Sequence, residues 1–177
     1  LSKPVQLINI MRSDVDFMAN SHNLIILEEG AKAQLLVCDH TMDHVHFFAN
    51  RLTEVFAGKN SVYEHYKLEN TNVLNTNVSN LLIHQEDSSN VLTNVITLHN
   101  GVTRNNIEML IDGENCESLL CGMVIGDKNQ DVDNFTEIVH KKPNSQSREL
   151  FKYVLDDTSK GAFAGKIQVA KNAQKTS

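Results

Sequence analysis

A chain of 177 residues, 41% apolar and 21% charged, is long enough to bury one core of ordinary size and too rich in apolar residues to stay disordered. Its net charge of -6 opposes the dense positive field that adhesion to a phosphate backbone needs, so nucleic acid is not an expected partner. The longest apolar runs, residues 24–27 and 35–38, fall far short of the ~20 residues that cross a bilayer as a helix, so a soluble chain with no membrane partner is expected.

No basic stretch followed by an apolar one opens the sequence, and the cytoplasm is the expected location. Three cysteines, an odd number without paired short spacing, read as reduced thiols rather than a disulfide framework.

Short β-favouring runs follow one another along the chain, at residues 24–27, 33–37, 61–68, 91–98, 106–111, 119–125, 134–139, 150–155 and 165–169. Asparagines such as Asn60, Asn75, Asn77, Asn80, Asn105 and Asn115 punctuate them. This side chain tolerates left-handed backbone and bonds to its own main chain, which predicts frequent bends. In Ile107-Glu108-Met109-Leu110-Ile111 and Ile167-Gln168-Val169 the apolar positions are two apart, which turns one face of a strand inward. The best helical candidate, residues 43–56, mixes β-branched and aromatic residues and lacks a start signal, so few helices are expected. Many short strands without helical crossovers form either a sandwich or barrel, or a solenoid. Hairpins favour Asn-Gly and Asp-Gly turns, and only Asn100-Gly101 and Asp112-Gly113 occur. Most bends are single polar residues, and strands and bends recur over roughly 20 residues, which favours the solenoid.

Cys38, Asp39, His40, Asp43, His44 and His46 are all competent ligands for zinc or iron. Their spacing matches neither a zinc finger nor a His-Glu-x-x-His site, so a polar corner without a native metal is expected. Cys121 is a candidate sulfur nucleophile. No cation lies near enough in sequence to lower its pKa, so it reads as a small buried hydrophobe. Cys116, with Glu114 and Glu117 close by, is a poorer nucleophile still. Gly122 and Gly126 sit in a strand-like run without the lysine of a phosphate loop, so no nucleotide site is expected. His65 beside Glu64, and His84 near Glu86 and Asp87, are expected at the surface.

The C-terminal stretch is the most specific. It runs from His140 through Ser147-x-x-Leu150-Phe151-Lys152 and Gly161-x-Phe163-x-Gly165-Lys166-Ile167-x-Val169 to Ala173-Gln174-Lys175-Thr176. It resembles the SufB/SufD family, which builds iron–sulfur clusters. The run 104–133, with Asp112-Gly113 and Gln130-Asp131, lies on the SufD side of that family. The resemblance implies a mainly β chain, a right-handed parallel β-helix that in the family is flanked by helical terminal domains. It implies a single β-helix domain over residues 1–177. It also implies a fragment truncated at its C-terminal end, because Ala-Gln-Lys-Thr lies mid-chain in the family. The function implied is that of a non-enzymatic scaffold subunit working with a SufB-like β-helix subunit and a SufC-like ATPase. An iron–sulfur cluster would be transient cargo of the full complex, and no cofactor would be bound by the fragment itself. For the motif positions His140, Ser147, Lys152, Gly165, Lys166, Gln174, Lys175 and Thr176 two readings stand. They shape corners of the coil, the reading favoured here, or they line a surface used during cluster assembly. A β-helix enzyme acting on polysaccharide is the alternative function, against which stand the absence of Trp and an aromatic content of 6%. A secreted, adhesin-like repeat protein is disfavoured by the lack of a leader. An uncapped C-terminal rung near residues 163–169 is expected to self-associate or fray.

Overall fold

The computed structural model describes residues 3–42 and 46–177. It contains twelve strands: β1 (Val5–Met11), β2 (Phe17–Leu27), β3 (Lys32–Thr41), β4 (Phe47–Ala57), β5 (Val62–Asn70), β6 (Thr76–Gln85), β7 (Asn90–His99), β8 (Val102–Ile111), β9 (Glu117–Gly126), β10 (Asp131–His140), β11 (Gln146–Leu155) and β12 (Lys160–Val169). The odd-numbered strands form one six-stranded sheet and the even-numbered strands the other, each in sequence order. Every pairing is parallel, between a strand and the one two places on. The chain is therefore a parallel β-solenoid of six turns with two strands to a turn, and no helix occurs among the described residues. Val5 lies beside Leu35, thirty residues on, and Thr76 beside Val102, 26 on. The repeat is thus longer than the 20 residues read from the bends, because a turn contains two strands and two corners.

Corners explain two of the glycines. Gly101 passes so close to the preceding turn that a Cβ would come within 2.4 Å of the Val73 carbonyl oxygen, and a Cβ on Gly113 would meet the Asp87 nitrogen at 2.2 Å. Asn100-Gly101 and Asp112-Gly113 are therefore sites where one turn stacks on another, not hairpin reversals. One corner repeats down the coil with a left-handed residue in each turn: Gly30, Asn60, Ser88, Asn115, Asn144 and Lys175, with φ between 56° and 69°. Amides of this row bond to the next turn, as Gly30 N–H does to the Lys59 carbonyl (2.8 Å) and Asn60 N–H to that of Asp87 (3.0 Å). Asparagine supplies the turn at Asn60 and Asn115. Asn77, Asn80 and Asn105 instead lie inside strands.

All nine expected runs fall in strands, with residue 61 just outside β5. Of the helical candidate, residues 43–45 lie outside the described residues and residues 47–56 are in β4, where pairing with β2 and β6 on both edges suits Phe48, Thr53 and Val55.

Side chains alternate between the interior and water. Ile25, Val55, Ile83, Met109, Ile138 and Ile167 follow one another in register across the even sheet, an aliphatic ladder facing the odd sheet. Each buried member contributes about 1.5–3 kcal/mol. The ladder loses cover at its last rung: Ile138 is 0% exposed and Ile167 55%.

Candidate functional site

Strand β5 inverts the usual alternation. Tyr63, His65, Lys67 and Glu69 point inward and are buried, whereas Glu64, Tyr66 and Leu68 face out. Register then determines what they meet. Asn9, Asp39, Glu69 and Thr97 form one inward row of the odd sheet, and Arg51, Ser79, Asn105 and Asn134 an inward row of the even sheet. The two rows face each other across the lumen.

Contacts join them into a polar track. At the N-terminal end Asp39 accepts from Asn9 Nδ2 at 2.9 Å and pairs with Arg51, and both charges are almost wholly enclosed. In the centre Lys67 Nζ donates to Ser79 Oγ (2.9 Å) and Asn105 Oδ1 (2.8 Å) and lies 3.8 Å from Glu69, whose other oxygen accepts from Thr97 Oγ1 at 3.1 Å. Asn105 Nδ2 donates onward to Asn134 Oδ1 (2.9 Å), Asn134 Nδ2 to Tyr153 Oη (2.6 Å), and Tyr153 Oη to the Ala162 carbonyl (2.9 Å). A cavity of about 40 Å³ opens between the rows, lined by Arg51, His65, Lys67, Ser79 and Asn105.

The charges compensate: Asp39 with Arg51, Glu69 with Lys67. Such pairs persist in a low-dielectric interior when hydrogen bonds satisfy most of the remaining donors and acceptors, and here Glu69 Oε1 alone of the four groups has only the Lys67 ammonium, at 3.8 Å, to face. His65 completes the site as a neutral ring. Burial, then the Lys67 charge, lowers its pKa from the ordinary 6.5 to about 4, and its Nδ1 lies 2.8 Å from Tyr63 Oη. Burial raises the Tyr63 pKa, so the phenol stays protonated. Chemically, the track holds protons and charges in fixed places. Asp39 and Glu69 have no exposed side-chain surface, out of reach of a sugar chain, so they do not form the open carboxylate pair that glycoside hydrolysis needs.

The expected surface position of His65 is thus corrected. It belongs to the inward face of β5, where Tyr63 and the lumen accommodate it. His84 does face outward, 3.5 Å from Asp112. Cys121 is also corrected: it lies on the outer face of β9, half-buried, with a pKa raised by burial. Cys116 is fully buried at a corner, its thiol donating to the Glu86 carbonyl at 3.1 Å. Gly122 packs under Phe151, whose ring a Cβ would meet at 2.1 Å, and no phosphate loop forms there.

The motif residues are spread over the lumen, the last corner and both outer faces. His140 is 1% exposed, in the inward row after Ile111, and its Nε2 lies 2.9 Å from Ser147 Oγ while burial lowers its pKa. Gln174, Lys175 and Thr176 form the last corner. Lys175 takes the left-handed position, the Gln174 carbonyl accepts from Asn144 N–H (3.2 Å), and Thr176 Oγ1 donates to the Ala173 carbonyl (3.2 Å). Gly165 leaves room beside Phe163 and Thr136 Oγ1, both 3.2 Å from a Cβ placed there. Lys152 and Lys166 stand on opposite outer faces, Lys166 donating to Glu137 at 2.9 Å. These eight residues do not converge on one pocket.

Of the candidate metal ligands, His44 and Asp43 lie outside the described residues. Cys38 and His40 are on the outer face of β3, while Asp39 between them points inward to Arg51. Among the described residues no three His, Cys, Asp or Glu side chains come together as a metal site.

Sequence reasoning did not find the track. Its signal was present in Tyr63-x-His65-x-Lys67-x-Glu69, a polar set at strand period, but the usual rule sends such a face to water.

Comparison with known proteins places the chain in context. Residues 9–177 match the family described as SUF system FeS cluster assembly, SufBD core domain. The chain is 30% identical over 183 residues to the iron–sulfur cluster assembly protein SufD of Escherichia coli, and 20% identical over 185 residues to an iron–sulfur cluster assembly SufBD family protein of Synechocystis. Each alignment covers 99% of this chain, but only 42% and 41% of the respective relative, so the chain spans about two-fifths of their length.

Proposed function

Because the chain belongs to the SufBD core-domain family, we propose that it is part of a non-catalytic scaffold subunit, similar to SufD, in a complex that assembles iron–sulfur clusters in the cytoplasm. The family match along residues 9–177 of a continuous coil carries this reading. In it, the coil forms a single domain that presents its surfaces to a SufB-like β-helix subunit and a SufC-like ATPase. The cluster is cargo of the whole assembly, and the chain contributes no resident metal and no nucleotide site. The luminal polar track serves the fold: a buried charge pair tolerates only one strand register, and a two-residue slip would leave Lys67 and Glu69 without Asn105 and Thr97. His140, Ser147 and the Gln174–Thr176 corner play the same architectural part.

The test uses a chimera. This chain replaces the matched segment of the Escherichia coli relative, which is co-expressed with a SufB-like subunit and a SufC-like ATPase. The expected result is recovery of all three subunits in one complex that binds ATP only through the ATPase. A folded chimera that never co-purifies with either subunit would contradict the assignment.

A further inference from the structure

The two outer faces of the coil differ. The even sheet carries ion pairs on its outer surface, His22 with Glu54, Arg104 with Asp133 and Lys166 with Glu137. Met18, Leu24, Ile26 and Phe56 are exposed there too, but the odd sheet has a row that carries no charge until its last strand. Ile8, Cys38, Leu68, Ile96 and Met123 follow one another in register across five strands, and the row ends at Lys152 on β11. Two rows over, beyond the row of Tyr66, Asn94, Cys121 and Leu150, the row through Glu64, Leu92 and Leu119 ends at Arg148. Exposure is substantial: 55% at Ile8, 38% at Met123, 52% at Leu150 and 64% at Val154. In a chain of net charge -6, neither Arg148 nor Lys152 has an ion pair among the described residues.

Going beyond the scaffold reading, we infer that this outer face of the odd sheet is a docking surface for an acidic amphipathic helix of another protein chain. Six strands at ~4.8 Å span about 24 Å, the length of ~16 helical residues. Such a helix lays its apolar stripe along the Ile8 to Met123 row and brings carboxylates to the β11 end, where Arg148 and Lys152 stand without partners. Charge selects this occupant over the others. A second copy docked with its coil axis along this one would bring the same two cations against themselves, and a flat anionic membrane would meet the acidic chain as a whole, where a single helix need meet only the Arg148 and Lys152 edge.

The probe is a synthetic amphipathic helical peptide of ~16 residues, with leucines on one face and glutamates on the other. Its control is the same peptide with lysine for glutamate. Fluorescence anisotropy with the full 177-residue chain is expected to show saturable binding of the acidic peptide alone. Arg148→Glu with Lys152→Glu, which touches exposed side chains only, is expected to weaken that binding about tenfold and to strengthen binding of the basic peptide, with an unchanged circular dichroism spectrum. Met123→Glu should abolish both. The inference is overturned if neither peptide binds, if both bind equally, or if charge reversal has no effect. It is also overturned if sedimentation shows self-association that Leu150→Asp removes, or if the chain prefers anionic vesicles to the acidic peptide.

Discussion

Lys67 and Glu69 sit two residues apart on the inward face of β5, with 9% and 0% of their side chains exposed. Lys67 also satisfies Ser79 and Asn105, so removing it strands a buried carboxylate and two polar groups. Lys67→Met is expected to lower unfolding free energy by about 3–5 kcal/mol, and adding Glu69→Met should restore most of the loss, because an apolar pair replaces a charged one without leaving an orphan. Urea denaturation of the single and double variants measures both. A double variant as unstable as the single would show that the pair is not what holds this part of the lumen. His65 gives a pH signature at the same scale. Its folded pKa, about 4, is below the 6.5 of the unfolded chain, so the unfolded chain takes up the proton first. Its contribution is complete above pH 6.5 and is lost as pH falls towards 4, about 3 kcal/mol in all. His140, also lowered by burial, acts in the same direction. His65→Gln should flatten the stability profile of the chain between pH 6.5 and 4 relative to the parent, and parallel profiles would place the titrating groups elsewhere.

At the scale of strands and corners, Gly122 and Phe151 are register partners on β9 and β11, and the ring occupies the space a side chain on Gly122 would need. Gly122→Val is expected to destabilise by about 1–3 kcal/mol through overpacking, and the loss should shrink when Phe151→Ala opens the space, a coupling that a double-mutant cycle by thermal denaturation reads. Additive costs would mean that the two do not touch. Lys175 holds the left-handed corner that Gly30 holds in the first turn, so Lys175→Gly should raise stability by ~0.5–1 kcal/mol, the steric relief being partly offset by entropy. Elements of this kind were unequally legible. Alternation in Ile107-x-Met109-x-Ile111 reveals β8 and its buried face, and all three residues are at most 2% exposed. β6 escaped because Thr76, Asn77, Ser79 and Asn80 read as bends. In the structure Asn80 accepts from Asn106 of the next turn (2.9 Å), so stacking makes strand residues of asparagines that locally favour turns. The 43–56 stretch gave no clear strand signal for a related reason: the strand character of residues 47–56 comes from neighbours thirty residues before and 28 after, which no local window contains. The inward charges of β5 were illegible for the same cause, since their partners come from β6, β7 and β8.

For the whole molecule, the proposed scaffold role assigns the coil's work to its outer surfaces and leaves the luminal track to stability. Parallel stacking with partners on both edges should give β5 to β8 slow amide exchange. β12, paired to β10 alone and exposed throughout, should exchange fastest of the even strands beyond β2. The most direct test of the non-catalytic assignment carries Lys67→Met with Glu69→Met into the chimera and follows iron–sulfur cluster formation in the assembled complex by visible absorbance. A scaffold whose luminal track serves only the fold predicts clusters formed at the rate and yield of the unsubstituted chimera. A complex that still assembles, with the coil intact by amide exchange, yet forms no cluster would contradict the account and make the buried track a participant in the chemistry.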